Sequence, residues 1–487
     1  MRKKTSIRLL AAMLALALVA AACGGDSAET GPATTAPSAD ADNNMDESED
    51  SDDNGMDEDD NSDGNSMDED DNSDGMDEDD NDGTSADEVT TTTSEAVPAP
   101  PPEPTPVPGF DGSTIRVGVI SDLSGPASII GVPLTAGAQV YYDYVNSQGG
   151  IAGRYMIETN EQDHQYMPSI ALQVYNSIKD DVVLIGQLLG TPITNAVLES
   201  LKQDNIVAAP ASLDSFWVRE QNLLPIGSPY QIQAINGLDW WINEGGGNVN
   251  QTYCTFVQDD PYGEAGQEGV EFAAEALGFT ITESVSYVAG DTDFSAQIQQ
   301  LSNAGCEVVY FVALPNVTAP ALGEAASKEF APTWISASPT WVNILALSPV
   351  AEYLQKTMII VGEGSTWGDT EVEGMGPMLE RLAEFAPDQG PDYYFTFGYL
   401  QAHAVVQVLE AAVANGDLSR QGIIDAMNSL GEVSFEGLGG DYFYGAPADR
   451  IPSTENTIFR VNPAVPNGVE AEVVGYEASF ASDFAFN

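Results

Sequence analysis

The chain has 487 residues, with 76 acidic residues against 15 Lys and Arg, and its formal net charge is −61 at pH 7. Phosphate binding requires clustered cations, so this composition excludes nucleic acid as a partner. The same shortage of cations excludes a polybasic contact with a membrane beyond the first residues of the chain.

The first 22 residues have the layout of a secretory signal peptide. A basic start precedes an apolar run from Leu9 to Ala22, which is shorter than the about 20 residues that span a bilayer. The small residues before Cys23 resemble the lipobox of bacterial lipoproteins, with Ala20 where Leu is usual. We therefore expect lipid on Cys23 to anchor the protein to the outer face of the bacterial cell membrane. An ordinary secretory signal with an incidental cysteine is the alternative.

Residues 23–109 are predicted to form a disordered tether. The acidic stretch 26–95 contains no Lys or Arg, and charge of one sign with low hydrophobicity prevents a core from forming. The Thr/Pro-rich piece Thr90–Pro108 is predicted to be a stiffer spacer. The run Asp59–Gly64, with Asp70 at the closing position, fits part of a calcium loop. Its flanks are polar and lack the amphipathic helices of an EF-hand, so we favour a charged tether without metal.

From Ser113 onward, apolar strands alternate with amphipathic helices. The predicted strands are Ile115–Ile120, Met156–Thr159, Val182–Ile185 and Ile206–Ala209. Thr191 and Pro192 are predicted to open a helix, with Thr191 as the capping residue. Such alternation predicts a parallel sheet with helices on both faces.

The pattern then restarts after a helix that contains Trp240 and Trp241. The next predicted strands are Thr252–Val257, Thr280–Val288, Val308–Val312, Thr333–Ser336 and Met358–Val361, and later helices are predicted at Met375–Phe385, Phe395–Ala414 and Ser419–Leu430. The folded part is too long for one typical core and suits two lobes. If the first and third of these strands are adjacent, Cys254 and Cys306 are close enough for a disulfide, and two buried free thiols are the alternative.

Several short motifs occur in a fixed order along the chain. They are Ile115–Pro126, Gly149–Gly153, Gly186–Thr191, Ala209–Ser212 and Asp260–Glu264. Together they resemble the branched-chain amino-acid/amide/urea-binding family of type I periplasmic solute-binding proteins, which serve ABC transporters. The resemblance covers residues 113–480.

This resemblance implies an α/β fold of two doubly wound parallel-sheet lobes, joined by three crossing segments, with a ligand cleft between them. The first lobe would comprise residues 113–228 plus 361–437, and the second 231–358 plus 440–480. The crossings are expected near Gly227–Tyr230, Met358–Gly362 and Gly437–Asp441.

Loops that follow the strands of such sheets face the crevice, where helix N-termini offer free N–H groups. We expect Thr191 and Ser212 to hold a carbonyl or anionic oxygen and Trp341 and Trp367 to form walls or lids. The full set of expected ligand contacts is Ser124, Ile130, Leu188, Leu189, Gly190, Thr191, Ala211, Ser212, Tyr262, Ser338, Glu363 and Tyr399.

The chain departs from its amino-acid-binding relatives at three places. Gly190 and Leu213 stand where the family has a hydroxyl and a threonine. Ser336 and Ser338 occupy the region where an acid would hold the ammonium group of the ligand. Glu363, Asp122 and Asp260 are the nearest substitutes for that acid. These changes favour an amide, a urea-like compound or a larger ligand over a simple aliphatic amino acid.

The resemblance implies an extracytoplasmic solute-binding lipoprotein. It would capture a small polar ligand (an amino acid, amide or urea-like compound) by hinge closure and deliver it to the permease of an ABC importer, as a monomer without cofactor or metal. His403, on an apolar helix, is expected to be packed, and His164 to lie at the surface. The sequence has no nucleophile elbow, metal-ligand cluster or phosphate loop, so we expect no enzyme. A lipid-tethered sensor or adhesion module with the same fold is the alternative function.

Overall fold

The structure is a computed structural model that describes residues 102–486. The predicted signal peptide, Cys23 and the acidic part of the tether lie outside the described residues. Residues 102–109, predicted as the end of the tether, pack on the folded part. Glu103 forms an ion pair with Arg154, and Val107 and Phe110 exchange two backbone hydrogen bonds. Within 102–486, no helix is both long and apolar enough to cross a membrane.

The first part of the described chain forms a four-stranded parallel sheet. Its strands are β1 (Thr114–Ser121), β2 (Met156–Asp163), β3 (Leu184–Leu189) and β4 (Ala208–Ala211), in the order β2-β1-β3-β4. The helices between them are α1 (Ser128–Ser147), α2 (Pro168–Ile178) and α3 (Thr191–Asp204). Every residue of the inner strand β3 and of the edge strand β4 is buried, as expected for parallel strands that helices cover on both faces.

The chain then builds most of a second sheet, of seven strands. Its parallel strands are β5 (Tyr253–Gln258), β6 (Ile281–Tyr287), β7 (Val308–Val312), β8 (Thr333–Ala337) and β9 (Met358–Gly362). The accompanying helices are α4 (Tyr230–Asn243), α5 (Pro261–Leu277), α6 (Ser295–Ala304), α7 (Pro315–Ser327) and α8 (Ala351–Thr357).

The last part of the chain contributes to both halves. It contains α9 (Met375–Phe385), α10 (Tyr393–Asn415), α11 (Arg420–Asn428), β10 (Gly431–Val433), β11 (Tyr442–Tyr444), β12 (Asn456–Val461) and β13 (Val469–Tyr476). Strands β10 and β11 form a separate antiparallel pair. Strands β12 and β13 pair antiparallel next to β9 and complete the second sheet in the order β13-β12-β9-β8-β7-β5-β6.

Helices α1 and α10 cross at two glycines. A methyl group on Gly137 would lie 2.0 Å from the carbonyl oxygen of Phe395, and one on Gly398 would lie 1.9 Å from that of Leu134. Both distances are well inside van der Waals contact, so only glycine lets the two backbones approach this closely. The close crossing fixes the N-terminal halves of both helices beside the carboxyl ends of the sheets.

The predicted fold class is confirmed: two sheets built on parallel strands with flanking helices are present, and the second adds the antiparallel strands β12 and β13 at one edge. The division into two lobes at the stated boundaries stays a prediction. Strand β5 pairs with β7, and Cys254 and Cys306 form a disulfide with Cα atoms 5.9 Å apart, which confirms the first of the two alternatives. The prediction that Thr191 caps α3 is wrong, because Gly190 occupies that position and Thr191 is the first helical residue.

Candidate functional site

A narrow cavity lies between the two sheets, where the strands end. Its empty volume is about 510 Å³, of which the centre of a water molecule can occupy only about 40 Å³. Residues that follow β3 and β4 of the first sheet face residues that follow β7 and β8 of the second. This is the crevice at the carboxyl ends of parallel strands, where ligands of open α/β sheets bind.

Eight of the twelve predicted contact residues line this cavity. They are Ile130, Leu189, Gly190, Thr191, Ala211, Ser212, Tyr262 and Ser338. The cavity has nine further lining residues, which are Leu134, Tyr166, Leu213, Tyr230, Leu314, Pro339, Tyr393, Tyr394 and Phe397. Whether these residues contact a ligand stays a prediction.

One side of the cavity, which we call the hydroxyl wall, consists of Gly190, Thr191, Ala211 and Ser212. Thr191 is 1% exposed and Ser212 is 5% exposed, and neither hydroxyl has a hydrogen-bond partner among residues 102–486. Gly190, whose φ is +107°, is the N-cap residue of helix α3, and no side chain caps the N-terminus of this helix. Buried polar groups without partners are rare in proteins, so these hydroxyls and free N–H groups are suited to a ligand oxygen.

The opposite side, which we call the aromatic wall, consists of Tyr230, Tyr262, Tyr393, Tyr394 and Phe397. The rings of Tyr230 and Tyr262 meet edge to face, with centroids 4.9 Å apart. The Tyr262 hydroxyl donates to the carbonyl of Ala313 at 3.2 Å, and the Tyr394 hydroxyl donates to that of Trp341 at 2.9 Å. Because these hydroxyls are already engaged, the wall presents mainly ring surface to the cavity.

No charged side chain lines the cavity within the described part of the chain. The three carboxylates predicted as ammonium partners are engaged elsewhere. Asp122 accepts hydrogen bonds from the N–H groups of Gly125 and Ala127 in its own loop. Asp260 caps α5 and accepts from Gln258. Glu363 accepts from the N–H of Ser228.

Glu363 lies where several chain segments meet. Its carboxylate contacts Ser228 and Gly440, which belong to two predicted crossings, and it directly follows the third, Met358–Gly362. Burial raises the pKa of Glu363 to about 7, although the N–H groups of Ser228 and Gly440 act to lower it. The N–H of Glu363 donates to the Tyr393 hydroxyl at 3.2 Å and so links this carboxylate to the aromatic wall.

Four predicted contact residues lie outside the cavity. Ser124 is exposed and donates to Asp163 at 2.5 Å. Leu188 points into the opposite face of β3, because successive strand side chains alternate and Leu189 faces the cavity. Tyr399 lies two residues beyond Phe397, on the other side of α10, where its ring meets that of Tyr141 edge to face and its hydroxyl accepts from Arg381. Glu363 lines a separate, neighbouring cavity.

The tryptophans and histidines also have definite places. Trp341 is buried and donates to the carbonyl of Asn467 at 3.1 Å, and Trp367 lines the neighbouring cavity. His403 stacks on Tyr141, as expected for a packed residue. The surface position expected for His164 is wrong. Its loop folds inward, its Nδ1 accepts the N–H of Tyr166, and burial lowers its pKa to about 4.

Four of the nine further lining residues come from two helices: Tyr393, Tyr394 and Phe397 from α10, and Tyr230 from the start of α4. The predicted helix begins at Phe395, so Tyr393 and Tyr394 lie just outside it, whereas α10 begins at Tyr393. Phe397 lies inside the predicted helix, but nothing in an apolar helix distinguishes a cavity face from a core face. Leu213 and Leu314 lie just after the ends of strands β4 and β7. The expectation that loops after parallel strands face the cleft, which identified Ser212, therefore applies to them as well.

Comparisons with known proteins agree with this geometry. The sequence matches the family of periplasmic binding proteins over residues 114–468. It is 24% identical over 206 residues to Leu/Ile/Val-binding protein homolog 3 of Brucella melitensis, a match that covers 40% of this chain and 54% of that protein. It is 23% identical over 202 residues, 41% of this chain and 53% of the relative, to a Leu-, Ile-, Val-, Thr- and Ala-binding protein of Pseudomonas aeruginosa. The chain thus spans about half the length of the curated relatives it matches.

Solved structures show the same fold. A fatty acid ABC transporter substrate-binding protein from Thermomonospora curvata has a TM-score of 0.74 and 24% identity, and the alignment covers 79% of this chain and 97% of that chain. A branched-chain amino acid ABC transporter protein from Thermus thermophilus, with bound valine, has a TM-score of 0.67 and 15% identity over 77% of this chain and 99% of that chain. The family match over residues 114–468 confirms the resemblance drawn from the sequence motifs, and the solved structures show that the fold is shared.

Proposed function

The chain belongs to the periplasmic binding protein family, and from this premise we propose that it is an extracytoplasmic solute-binding protein that presents its ligand to an ABC importer. The cavity between the two sheets is the proposed ligand site. The observation that carries the proposal is the pair of buried, unpartnered hydroxyls of Thr191 and Ser212, which lie beside the free N-terminus of α3.

The character of the cavity narrows the class of ligand. A carboxylate or amide oxygen would accept from the hydroxyl wall, and an apolar body would pack on the aromatic wall. An ammonium group in this cavity would be buried without a carboxylate partner, because no anionic side chain of the described residues lines the cavity. Burial of an unpaired charge costs several kcal/mol. We therefore propose an apolar carboxylate or amide rather than a zwitterionic amino acid. The two structural neighbours represent these two ligand classes: the name of one refers to a fatty acid and that of the other to a branched-chain amino acid.

Three compounds of nearly equal shape test this ligand class. Leucine, 4-methylpentanoate and 4-methylpentanamide differ only in the ammonium and carboxylate groups, and each is titrated calorimetrically into the purified full-length chain. We expect 4-methylpentanoate or its amide to bind roughly 100-fold tighter than leucine, because leucine buries an unpaired ammonium group. Equal or tighter binding of leucine would contradict the proposed ligand class.

Capture is proposed to occur by hinge closure of two lobes around the ligand. The observed arrangement is compatible with the closed form, since Thr191, Ser212, Tyr262 and Ser338 are all less than a tenth exposed. Closure requires that the ligand contacts both lobes at once. The hydroxyl wall lies at the ends of strands of the first sheet, whereas Tyr262 follows a strand of the second sheet.

Lipid on Cys23 is proposed to anchor the protein to the outer face of the cell membrane. Acyl chains favour the membrane by about 0.8 kcal/mol for each buried CH₂ group, so the lipid would dominate partitioning. We expect the Cys23→Ser variant to move from the detergent phase to the aqueous phase in a Triton X-114 extraction, while the unaltered chain stays in the detergent phase. An unchanged distribution would show that another feature anchors the protein.

A further inference from the structure

A second cavity adjoins the ligand cavity. Its empty volume is about 430 Å³, of which the centre of a water molecule can occupy about 30 Å³. Tyr393 and Phe397 line both cavities, so these two side chains form the partition between them. Behind the partition, the apolar lining comes from Trp367, Met375, Leu400 and Leu438.

The partition is built so that one of its members can move. Tyr393 and Phe397 are one turn apart on α10 and share a face. The Tyr393 hydroxyl is held by the N–H of Glu363 at 3.2 Å. Phe397 has no polar atom and is only half-buried, and it packs against both large hydrophobic cores. Its ring can therefore rotate without breaking a hydrogen bond.

The second cavity also contains a buried polar group without a partner. Asn467, in the turn between β12 and β13, is 4% exposed, and its side-chain Oδ1 has no hydrogen-bond partner anywhere in residues 102–486. Its own carbonyl accepts from Trp341, which fixes the backbone there. Two other polar side chains of the lining have partners: Glu363 accepts from Ser228, and Ser365 donates to Asp369 at 2.8 Å.

An unpartnered buried amide points to a ligand group, since leaving it unpaired costs about 1–3 kcal/mol. The two ends of an amide are assigned by hydrogen-bond pattern, so Asn467 can present either an acceptor or a donor. A hydroxyl group both donates and accepts, and it satisfies either orientation.

We propose that the two cavities form one bipartite ligand site, in which the distal end of the ligand passes Phe397 and places a hydroxyl group against Asn467. The inference rests on the proposed function, because it requires the carboxylate or amide end to be held at Thr191 and Ser212. The ligand class is an elongated carboxylate or amide with an apolar middle and a terminal hydroxyl group.

Matched pairs of probes test this inference on the full-length chain. Straight-chain carboxylates of increasing length, from butanoate to dodecanoate, are each compared by calorimetry with the counterpart that carries a terminal hydroxyl. We expect the hydroxylated compound to bind roughly tenfold tighter at the lengths that reach Asn467, and weaker than its parent at the shortest lengths, where the hydroxyl is buried against ring surface.

Two variants separate the parts of the site. Asn467→Leu is expected to abolish the preference for the hydroxylated compound and to leave the affinity for butanoate unchanged. Phe397→Trp enlarges a residue that lines both cavities, and it is expected to weaken the long probes at least tenfold more than the short ones. Phe385→Trp is the matched control, because Phe385 is half-buried on α9 and lines neither cavity.

The outcomes distinguish this inference from the function on which it rests. If carboxylates bind but the hydroxyl group brings no gain at any length, the bipartite site is wrong and the proposed function stands. If Phe397→Trp weakens short and long probes equally, the partition is not a passage and the inference is likewise wrong. If no carboxylate or amide binds the unaltered chain, both proposals fail.

Discussion

The two walls of the cavity are built differently. The hydroxyl wall comes from loops that follow β3 and β4, and it keeps two buried hydroxyls and a helix N-terminus without partners among the described residues. The aromatic wall comes largely from helices, and the hydroxyls of Tyr262 and Tyr394 donate to backbone carbonyls. This difference gives the proposed site a direction: the proposed ligand would place its polar end on the hydroxyl wall and its apolar body against the aromatic wall.

The largest expected effect concerns the helix that holds the aromatic wall. Gly398→Ala would place a methyl group 1.9 Å from the carbonyl oxygen of Leu134, so α10 must move away from α1 and take Tyr393 and Phe397 with it. We expect the free energy of unfolding in urea to fall by about 3 kcal/mol.

Gly376→Ala is the matched control for this change. Gly376 lies in α9, and a methyl group there has no neighbour within 4 Å among the residues that the structure describes. The control is expected to gain about 0.5–1 kcal/mol, because alanine restricts the unfolded chain. A similar result for the two variants would show that the α1–α10 crossing is not the constraint that positions the aromatic wall.

The next effect concerns the hydroxyl wall. Thr191→Val removes a buried hydroxyl without changing the shape of the side chain. We expect affinity for the tightest carboxylate or amide to fall roughly tenfold and the free energy of unfolding of the unliganded protein to rise by about 1 kcal/mol, because an unpaired polar group is lost. Calorimetry and urea titration measure the two quantities on the same sample.

Thr318→Val makes the same change at a satisfied hydroxyl, which donates to the carbonyl of Thr340 at 2.7 Å. This control is expected to lose about 1 kcal/mol of stability and to keep its ligand affinity. If Thr191→Val is also destabilised and still binds, the hydroxyl of Thr191 is structural and the polarity assigned to the cavity is wrong.

The last effect depends on pH and concerns Glu363, which connects the predicted crossings to the aromatic wall. Its pKa in the folded protein is about 7, above the ordinary value of 4.5, so the folded chain holds a proton that the unfolded chain releases. This contribution to stability is therefore present at acidic pH and is lost as the pH rises from about 4.5 through 7.

Thermal melts between pH 4.5 and 8 measure this dependence. Glu363→Gln is expected to flatten it relative to the unaltered chain, whereas the exposed Glu371→Gln, which changes the same charge, leaves it as it was. If the melting temperatures of the unaltered chain and of Glu363→Gln change with pH in the same way, a group other than Glu363 is responsible for the pH dependence.

The sequence predicts the hydroxyl wall better than the aromatic wall, for a physical reason. Thr191 and Ser212 follow apolar strands, and the geometry of parallel sheets brings such loops to one edge. Tyr393 and Phe397 lie on a helix that is buried nearly all round, so their pattern does not reveal which face meets a cavity. Leu188 and Leu189 show a similar limit. The alternation of a strand allows only one of them to face the cavity, and two adjacent leucines at the end of a fully buried strand do not indicate which one.

The central claim is that a carboxylate or amide oxygen binds the hydroxyl wall while an apolar body packs on the aromatic wall. A crystal structure of the chain with the tightest-binding compound of the series tests it most directly. We expect a ligand oxygen within about 3.2 Å of Thr191 Oγ1 or Ser212 Oγ. A ligand bound in the opposite direction, or outside the space between the two sheets, would contradict it.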